Sequence, residues 1–224
     1  MKHSSPKVSV RIQAHPTRKH LLPSLLSGLD PLHTEVSLHS SDPPNPWEGY
    51  KKAIADPPDC THLLVIQEDA LVCRNFPLAV TKIAEAKSDP VALFLAWLPK
   101  NVAVDAFRAS IAGERYIRYR PSSKFCPVVA ILWPVEALER FKAWAAGAPL
   151  PGRPTPASDD AIVGEWLKRN QKTETIWCSV PSLVEHPDMT ESVKGRRNEV
   201  WGQDKGRVAA LFIGDRDPLD FDWS

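Results

Sequence analysis

A strand that ends in adjacent acidic residues is the segment that most constrains the fold. Residues Thr61 to Asp69 read Thr-His-Leu-Leu-Val-Ile-Gln-Glu-Asp, so four consecutive apolar residues precede Gln67 and two carboxylates. An uninterrupted apolar run is typical of a strand covered on both faces in a parallel sheet. Glu68 and Asp69 would then lie at the edge where open α/β sheets bind ligands. Such a pair commonly holds a divalent cation, and a strand ending in solvated acids is the alternative that this segment alone leaves open.

Strand-like and helix-like segments alternate along the rest of the chain. Besides residues 61–69, strand patterns occupy Lys7 to Gln13, Thr34 to His39, Pro90 to Trp97, Tyr116 to Tyr119, Cys126 to Trp133 and Thr175 to Cys178. Helix patterns occupy Thr17 to Gly28, Asn45 to Ala55, Asn75 to Lys87, Val135 to Ala146 and Ser158 to Asn170. Alternation predicts an α/β fold with a mostly parallel central sheet flanked by helices. We assign residues 1–186 to a single domain and the polar residues 187–224 to a lid or wrap-around tail of the same domain.

Composition excludes several classes of protein. The 224 residues are 43% hydrophobic and 25% charged, which suits a globular domain with a full core. With 28 basic and 27 acidic residues, no global field draws the chain onto nucleic acid or anionic lipid. No apolar run approaches the roughly 20 residues of a membrane span, and the N-terminus lacks the apolar core of a signal peptide. These features predict a cytoplasmic protein without a membrane span, whose four scattered cysteines stay reduced.

Polar residues at the ends of predicted elements mark four candidate sites. They are Arg11 to Arg18 after the first strand, Glu68-Asp69, Asp159-Asp160 at a helix start, and Glu185-His186 after the last strand. In a doubly wound sheet these positions converge on one edge. Magnesium prefers oxygen ligands and manganese also accepts an imidazole, so Asp69 and His186 could share a divalent ion. No Gly-x-Gly-x-x-Gly or Walker-type loop is present, which argues against a dinucleotide-binding or P-loop enzyme.

Four motifs together resemble the nucleotide-sugar glycosyltransferases of the GT-A fold, which is Rossmann-like, and especially their small phage and bacterial members. The motifs are Trp47-Glu48-Gly49-Tyr50 with Ala53, His62 to Ala70, Ser158-Asp159-Asp160 with Trp166-Leu167, and Pro181-Ser182-Leu183-Val184-Glu185-His186. The resemblance covers about residues 7 to 195 of this sequence.

The resemblance implies a Mn²⁺ or Mg²⁺ ion held against the diphosphate of the donor. The family's acidic motif is usually Asp-x-Asp, whereas this chain has Gln67-Glu68-Asp69. Asp69 is therefore the expected metal ligand, His186 completes the metal shell, and Glu68 is expected to contact the donor sugar or ribose.

The resemblance also implies a catalytic base at Asp159 or Asp160, because an acceptor hydroxyl must lose its proton as it attacks the anomeric carbon. We favour Asp160 as the base and Asp159 as helix cap and sugar ligand, and simple N-capping by both acids is the alternative.

Donor binding is further expected from Arg18, in the loop that holds nucleotide base and ribose, and from a basic loop closing on the diphosphate. That loop contains Lys194, Arg196 and Arg197, which would otherwise form a solvated tail or a patch for an acidic acceptor. Arg18 could equally lie on a helix surface.

The function that these features imply is transfer of a sugar from a nucleotide sugar, with a uridine diphosphate sugar as the expected donor, to an acceptor hydroxyl. The acceptor could be a saccharide, a protein or a hydroxymethylated base of phage DNA, the last because residues 108–124 are rich in arginine. A nucleotidyltransferase would normally have a glycine-rich loop after the first strand, and Val8 to His20 contains no glycine. A sugar-nucleotide or protein-binding module that has lost the chemistry is the non-enzymatic alternative, suggested by Gln67.

Overall fold

A seven-stranded sheet forms the centre of the protein in the computed structural model, which describes residues 5–41, 45–96, 100–120, 128–147, 158–187 and 208–223. Its strands are β1 (Val8–Ala14), β2 (His33–Leu38), β3 (His62–Gln67), β5 (Val91–Ala92), β6 (Tyr116–Arg118), β7 (Ala130–Pro134) and β8 (Trp177–Ser179). They lie in the order β2-β1-β3-β7-β5-β8-β6. Two further short strands, β4 (Leu71–Val72) and β9 (Val184–Glu185), pair separately.

The central sheet is mostly parallel, as predicted. β1 is parallel to β2 and β3, and β5 is parallel to β8, while β7 is antiparallel to β3 and β5 and β6 is antiparallel to β8. β1, β2, β3, β5 and β8 therefore all run in one direction. Their carboxyl ends meet at a single edge of the sheet, which is where an open α/β sheet presents its ligand site.

Helices cover both faces of the sheet. They are α1 (Leu22–Leu29), α2 (Pro46–Ile54), α3 (Phe76–Ala86), α4 (Lys100–Ala112), α5 (Val135–Gly147) and α6 (Asp159–Arg169). Along β3, Leu63 and Val65 pack into one core with α2, α4, α5 and α6, whereas Leu64 and Ile66 pack into a second core with α1 and α3. Alternate side chains point to opposite faces of a strand, so the apolar run of β3 is explained by burial on both sides. The prediction of an α/β fold is confirmed.

The segment between β1 and β2 differs from the single helix predicted there. A 3-10 helix spans Pro16–Leu21, and the α-helix begins only at Leu22, with Pro23 in its first turn, where a missing backbone N–H costs nothing. Gly28 does not end this helix, which continues to Leu29. A Cβ at Gly28 would collide with Val72 Cγ2, so the glycine permits close packing of α1 against β4.

Three of these helices and strands, α4, β4 and β9, had no counterpart in the predicted pattern. α4 occupies Lys100–Ala112, between the strand pattern that ends at Trp97 and the one that begins at Tyr116. The pairing of β4 with β9 joins Leu71 to Glu185 and Val72 to Val184, and two-residue strands carry too little periodicity to be recognised from sequence. This small sheet holds the residue after β9, His186, beside the end of β3.

The C-terminal segment packs back onto the sheet. Ala209 forms a bridge with Ala96, and Phe212 forms one with Ser182. Ala210 and Trp223 are buried, so residues 208–223 belong to the same packed unit as the sheet. Within the described ranges, no helix combines the length and the apolarity needed to cross a bilayer.

Candidate functional site

The acid pair, Glu68 and Asp69, lies in the turn that follows β3. The Glu68 N–H donates to the Gln13 carbonyl at 3.1 Å, and the Ala70 N–H donates to the Gln67 carbonyl at 3.1 Å. These bonds tie the turn to the end of β1 and direct both carboxylates inward, where their side chains are only 7% and 4% exposed. Because an ionised carboxylate is costly to bury without a partner, the residues around this pair matter.

Arg18 binds both members of the acid pair at once. Its Nη1 donates to Glu68 Oε1 at 3.0 Å and its Nη2 donates to Asp69 Oδ2 at 2.8 Å. The guanidinium side chain is itself only 13% exposed, so these charge-assisted bonds are poorly screened by water. Arg18 therefore faces the acid pair from the 3-10 helix after β1, and not solvent.

His186 approaches the same carboxylate from the end of β9. Its Nε2 lies 3.0 Å from Asp69 Oδ2. Burial raises the pKa of Asp69, but the hydrogen bond and charge of His186, together with those of Arg18, outweigh that effect and lower the pKa to about 2. Asp69 is thus held as a carboxylate, and the other oxygen, Oδ1, has no hydrogen-bond partner among the described residues.

Glu68 has the opposite tendency. Burial and then the neighbouring charge of Asp69 raise its pKa, and the contact with Arg18 only partly offsets this. Two adjacent buried carboxyls that share one cation do not ionise with equal ease. Asp69 is therefore the member of the pair that carries the negative charge most firmly.

Asp159 and Asp160 open α6 and point differently. Asp159 is buried, and its Oδ2 accepts hydrogen bonds from Gln13 Nε2 at 3.3 Å and from Gln67 Nε2 at 3.4 Å. Its Oδ1 accepts from the Asp160 N–H at 2.9 Å. Asp160 is half-buried and its Oδ1 accepts from the Ala161 N–H at 2.8 Å. Ser158 holds the N-cap position and makes no side-chain capping bond. Asp159 and Asp160 each accept from an N–H of the first turn instead, and Asp159 also contacts the end of the sheet.

Glu185 ties His186 to the C-terminal segment. Its Oε1 accepts from the His186 N–H at 2.8 Å and from the Ala209 N–H at 2.7 Å. One carboxylate oxygen therefore fixes the residue that reaches Asp69 and the point at which the described C-terminal segment begins to pack. The contact makes Glu185 a structural support of the site, and His186 is the residue of this pair that reaches Asp69.

The site residues partly suit a divalent ion. Asp69 offers the unpartnered Oδ1, and His186 offers an imidazole of the kind that manganese accepts. Among the described residues, no three His, Cys, Asp or Glu side chains cluster as a metal group. Magnesium and manganese sites at phosphate substrates commonly use one or two protein carboxylates and take their remaining ligands from water and phosphate oxygens. Two protein ligands, Asp69 and His186, fit a site that is completed by water and phosphate oxygens.

Several other residues that the sequence marked as candidates are not among the described residues of this site. Arg11 lies within β1, pairs with Glu35 and donates to the Ala53, Ala55 and Asp56 carbonyls at the end of α2, so its role is structural. Lys194, Arg196 and Arg197 lie outside the described residues. Within the arginine-rich residues 108–124, Arg115 lies over the Phe221 ring and Arg118 donates to the Gln171 carbonyl, so both side chains contact the protein itself.

Gln13 is the site residue that sequence reasoning missed. Gln13 and Gln67 are register partners on β1 and β3, and each follows a fully buried isoleucine. Two amides at matching strand ends were the available signal, because polar residues that interrupt apolar runs at a sheet edge tend to face a site.

The chain matches no protein-family model and has no significant match among curated proteins.

Proposed function

We propose that this protein is a metal-dependent glycosyltransferase of the GT-A type, which moves a sugar from a nucleoside diphosphate sugar to an acceptor hydroxyl. The observation that carries the proposal is the convergence of Arg18, Asp69 and His186 at the carboxyl edge of a mostly parallel sheet. A firmly ionised carboxylate with an open oxygen, an imidazole and a guanidinium are the groups that a diphosphate with its counter-ion requires. The resemblance of the four sequence motifs points to the same activity.

In this proposal, Asp69 and His186 would hold a Mn²⁺ or Mg²⁺ ion. When bound, the ion supplies positive charge that stabilises the diphosphate as it becomes the leaving group. Arg18 would contribute a second positive charge to the same phosphates through its fork of N–H donors. Glu68 takes up a proton more readily than Asp69. It would form a hydrogen bond with a sugar or ribose hydroxyl, as acceptor or as donor.

Asp160 is the proposed base for the acceptor. It lies in the first turn of α6, half-buried, next to the buried Asp159 that faces the ends of β1 and β3. Its carboxylate would take the proton from the acceptor hydroxyl while the oxygen of that hydroxyl bonds to the anomeric carbon. The bond between the anomeric carbon and the diphosphate oxygen would break, and its electron pair would stay on the diphosphate.

Lys194, Arg196 and Arg197 are proposed to add positive charge beside this leaving group. The proposed acceptors are a saccharide, a protein or a hydroxymethylated base in DNA.

A panel of nucleoside diphosphate sugars, tested with and without manganese, would test the proposal. We expect one uridine diphosphate sugar to bind in the presence of the ion and to be hydrolysed slowly without an acceptor. Asp69→Ala should abolish metal-dependent binding, and Asp59→Ala, at an exposed ion pair with Lys7, should not. Asp160→Asn should leave donor binding nearly intact and abolish transfer.

Four results would contradict the proposal or a part of it. Binding that needs no metal and survives Asp69→Ala would remove the metal role. Transfer that persists in Asp160→Asn would remove the base assignment. Failure to bind any nucleotide sugar would refute the enzyme reading, and binding without hydrolysis or transfer to any acceptor would favour a sugar-nucleotide binding module.

A further inference from the structure

The side-chain amides of Gln13 and Gln67, which we call the amide pair, converge on one carboxylate oxygen. Gln13 Nε2 and Gln67 Nε2 lie 3.3 Å and 3.4 Å from Asp159 Oδ2. The two glutamines face each other across β1 and β3, and Asp159 reaches them from the first turn of α6. The contact joins three separate elements and the acid is buried, so it belongs to the packed interior and is not an incidental surface bond.

The orientation of the Gln13 amide follows from its surroundings. Its Nε2 has two acceptors in reach, the Pro46 carbonyl at 3.1 Å and the Asp159 carboxylate, so the NH₂ end of the amide must face them. Gly49 leaves room for this side chain, since a Cβ there would lie 3.2 Å from Gln13 Nε2. The amide pair therefore offers donors to Asp159 and adds no charge of its own.

We propose that Gln67, assisted by Gln13, is a positioning residue that holds the Asp159 carboxylate and, through it, the start of α6 that carries Asp160. Asp159 Oδ1 accepts from the Asp160 N–H at 2.9 Å. The contacts thus run from the end of β3 to the backbone of the proposed base. This inference rests on the proposed function.

The contact with Asp159 also explains why residue 67 is a glutamine and not the first acid of the Asp-x-Asp motif. The resemblance implies an aspartate there. A glutamate would put a second carboxylate where the Gln67 amide now lies, 3.4 Å from Asp159 Oδ2, and the shorter aspartate would put one a methylene further back on the same side chain. Two carboxylates in one buried site repel, and one of them is driven to take a proton. Gln67 replaces that repulsion with a hydrogen bond, so it complements Asp159 and does not mark a decayed metal motif.

The test compares Gln67→Glu, Gln67→Ala and Gln67→Asp, the last of which restores the acid of the family motif, with Gln171→Glu as the matched control. Gln171 is exposed, so the control adds the same charge outside the site. For the acidic variants we expect transfer to fall at least about tenfold at neutral pH while donor affinity changes less than about threefold. A loss of folded protein would lower donor binding and transfer together, so a fall in transfer with little change in donor affinity marks a positioning role and not a merely structural one.

A second measurement keeps the contact testable without activity. The melting temperatures of Gln67→Glu, Asp159→Asn and the double variant form a cycle. We expect Gln67→Glu to lower the melting temperature of the wild-type background by several degrees and to have little effect in the Asp159→Asn background, because the second carboxylate is then absent.

The outcomes separate the inference from the proposed function. Additive changes in melting temperature, or Gln67→Glu transferring at the wild-type rate, would overturn the positioning role and leave the glycosyltransferase proposal standing. A non-additive cycle in a protein that binds no nucleotide sugar would establish the contact, refute the proposed function and overturn the positioning role that rests on it.

Discussion

His186 Nε2 lies 3.0 Å from Asp69 Oδ2, although the two residues follow different strands in different sheets. β3 brings Asp69 to the edge of the central sheet, and the short pairing of β4 with β9 brings His186 to the same place. The contact joins the acidic turn to the last part of the domain before the C-terminal segment. A substitution at either residue is therefore expected to affect stability as well as binding.

Asp69→Asn should lower stability in a pH-dependent way. The pKa of Asp69 lies at about 2, below its ordinary value of 3.8. A lowered pKa means that the ionised carboxylate contributes stability above about pH 4 and loses that contribution as the pH falls through about 2. The substitution should therefore cost about 2 kcal/mol of unfolding free energy at pH 7 in the absence of metal, and much less near pH 2.

Urea unfolding at both pH values, in the presence of a metal chelator, measures this difference. Asp59→Asn is the control, because the Asp59 side chain is 98% exposed and its ion pair is screened by solvent. An equal loss of stability in Asp69→Asn at pH 7 and near pH 2 would show that the carboxylate charge is not the cause.

Arg18→Gln should change metal and nucleotide binding in opposite directions. Arg18 Nη2 donates to Asp69 Oδ2, so a divalent ion bound at Oδ1 would put a second positive charge on the same carboxylate. Without the guanidinium charge, Mn²⁺ alone should bind about tenfold more tightly, while uridine diphosphate should bind about tenfold more weakly for lack of a charge-assisted donor. Titration calorimetry with each ligand separately measures both effects.

Arg108→Gln is the control for the loss of one positive charge, because Arg108 is exposed on α4. It should leave both affinities at the wild-type value. An unchanged Mn²⁺ affinity in Arg18→Gln would mean that the guanidinium and the ion do not share Asp69.

Glu185→Ala should destabilise the protein and weaken the site together. The substitution removes the acceptor of two backbone N–H groups, those of His186 and Ala209. Losing such an acceptor costs about 1–3 kcal/mol, and a displaced His186 would no longer face Asp69. Glu185→Gln keeps an oxygen acceptor, so its loss of stability should be the smaller of the two. Thermal unfolding and Mn²⁺ titration of both variants, with Glu139→Ala as an exposed control, test this expectation; equal losses in the two variants would contradict it.

The buried thiols should be nearly inert in the folded protein. Burial raises the pKa of Cys73 and of Cys178 to about 12, and raises that of the half-buried Cys60. Since the thiolate is the reactive form, Cys73 and Cys178 should react with a disulfide reagent at pH 8 at least about a hundredfold more slowly than in urea. Mass mapping of the labelled peptides in a Cys126→Ser background resolves each thiol, and rapid labelling of Cys178 in native buffer would contradict its burial.

Local patterns were sufficient for the main elements of this fold. The apolar run of β3 predicted a strand covered on both faces, and Leu63 and Leu64 do lie in opposite cores. Asn45 and Pro46 predicted the start of α2, where Asn45 Oδ1 accepts from the Glu48 N–H. Trp47 and Trp133, which lie within these predicted elements, are buried in the core. These features depend on residues close together in sequence, so periodicity and capping chemistry reveal them.

The partners within the site depended on tertiary structure. The sequence alone determined that acids follow a buried strand and open a later helix, and that a histidine follows the last strand. Which groups meet was decided by the strand order and by two-residue strands: Arg18 with both members of the acid pair, His186 with Asp69, and the amide pair with Asp159. Such contacts join residues far apart in the chain, and their energies come from burial and ion pairing that exist only once the sheet edge has formed.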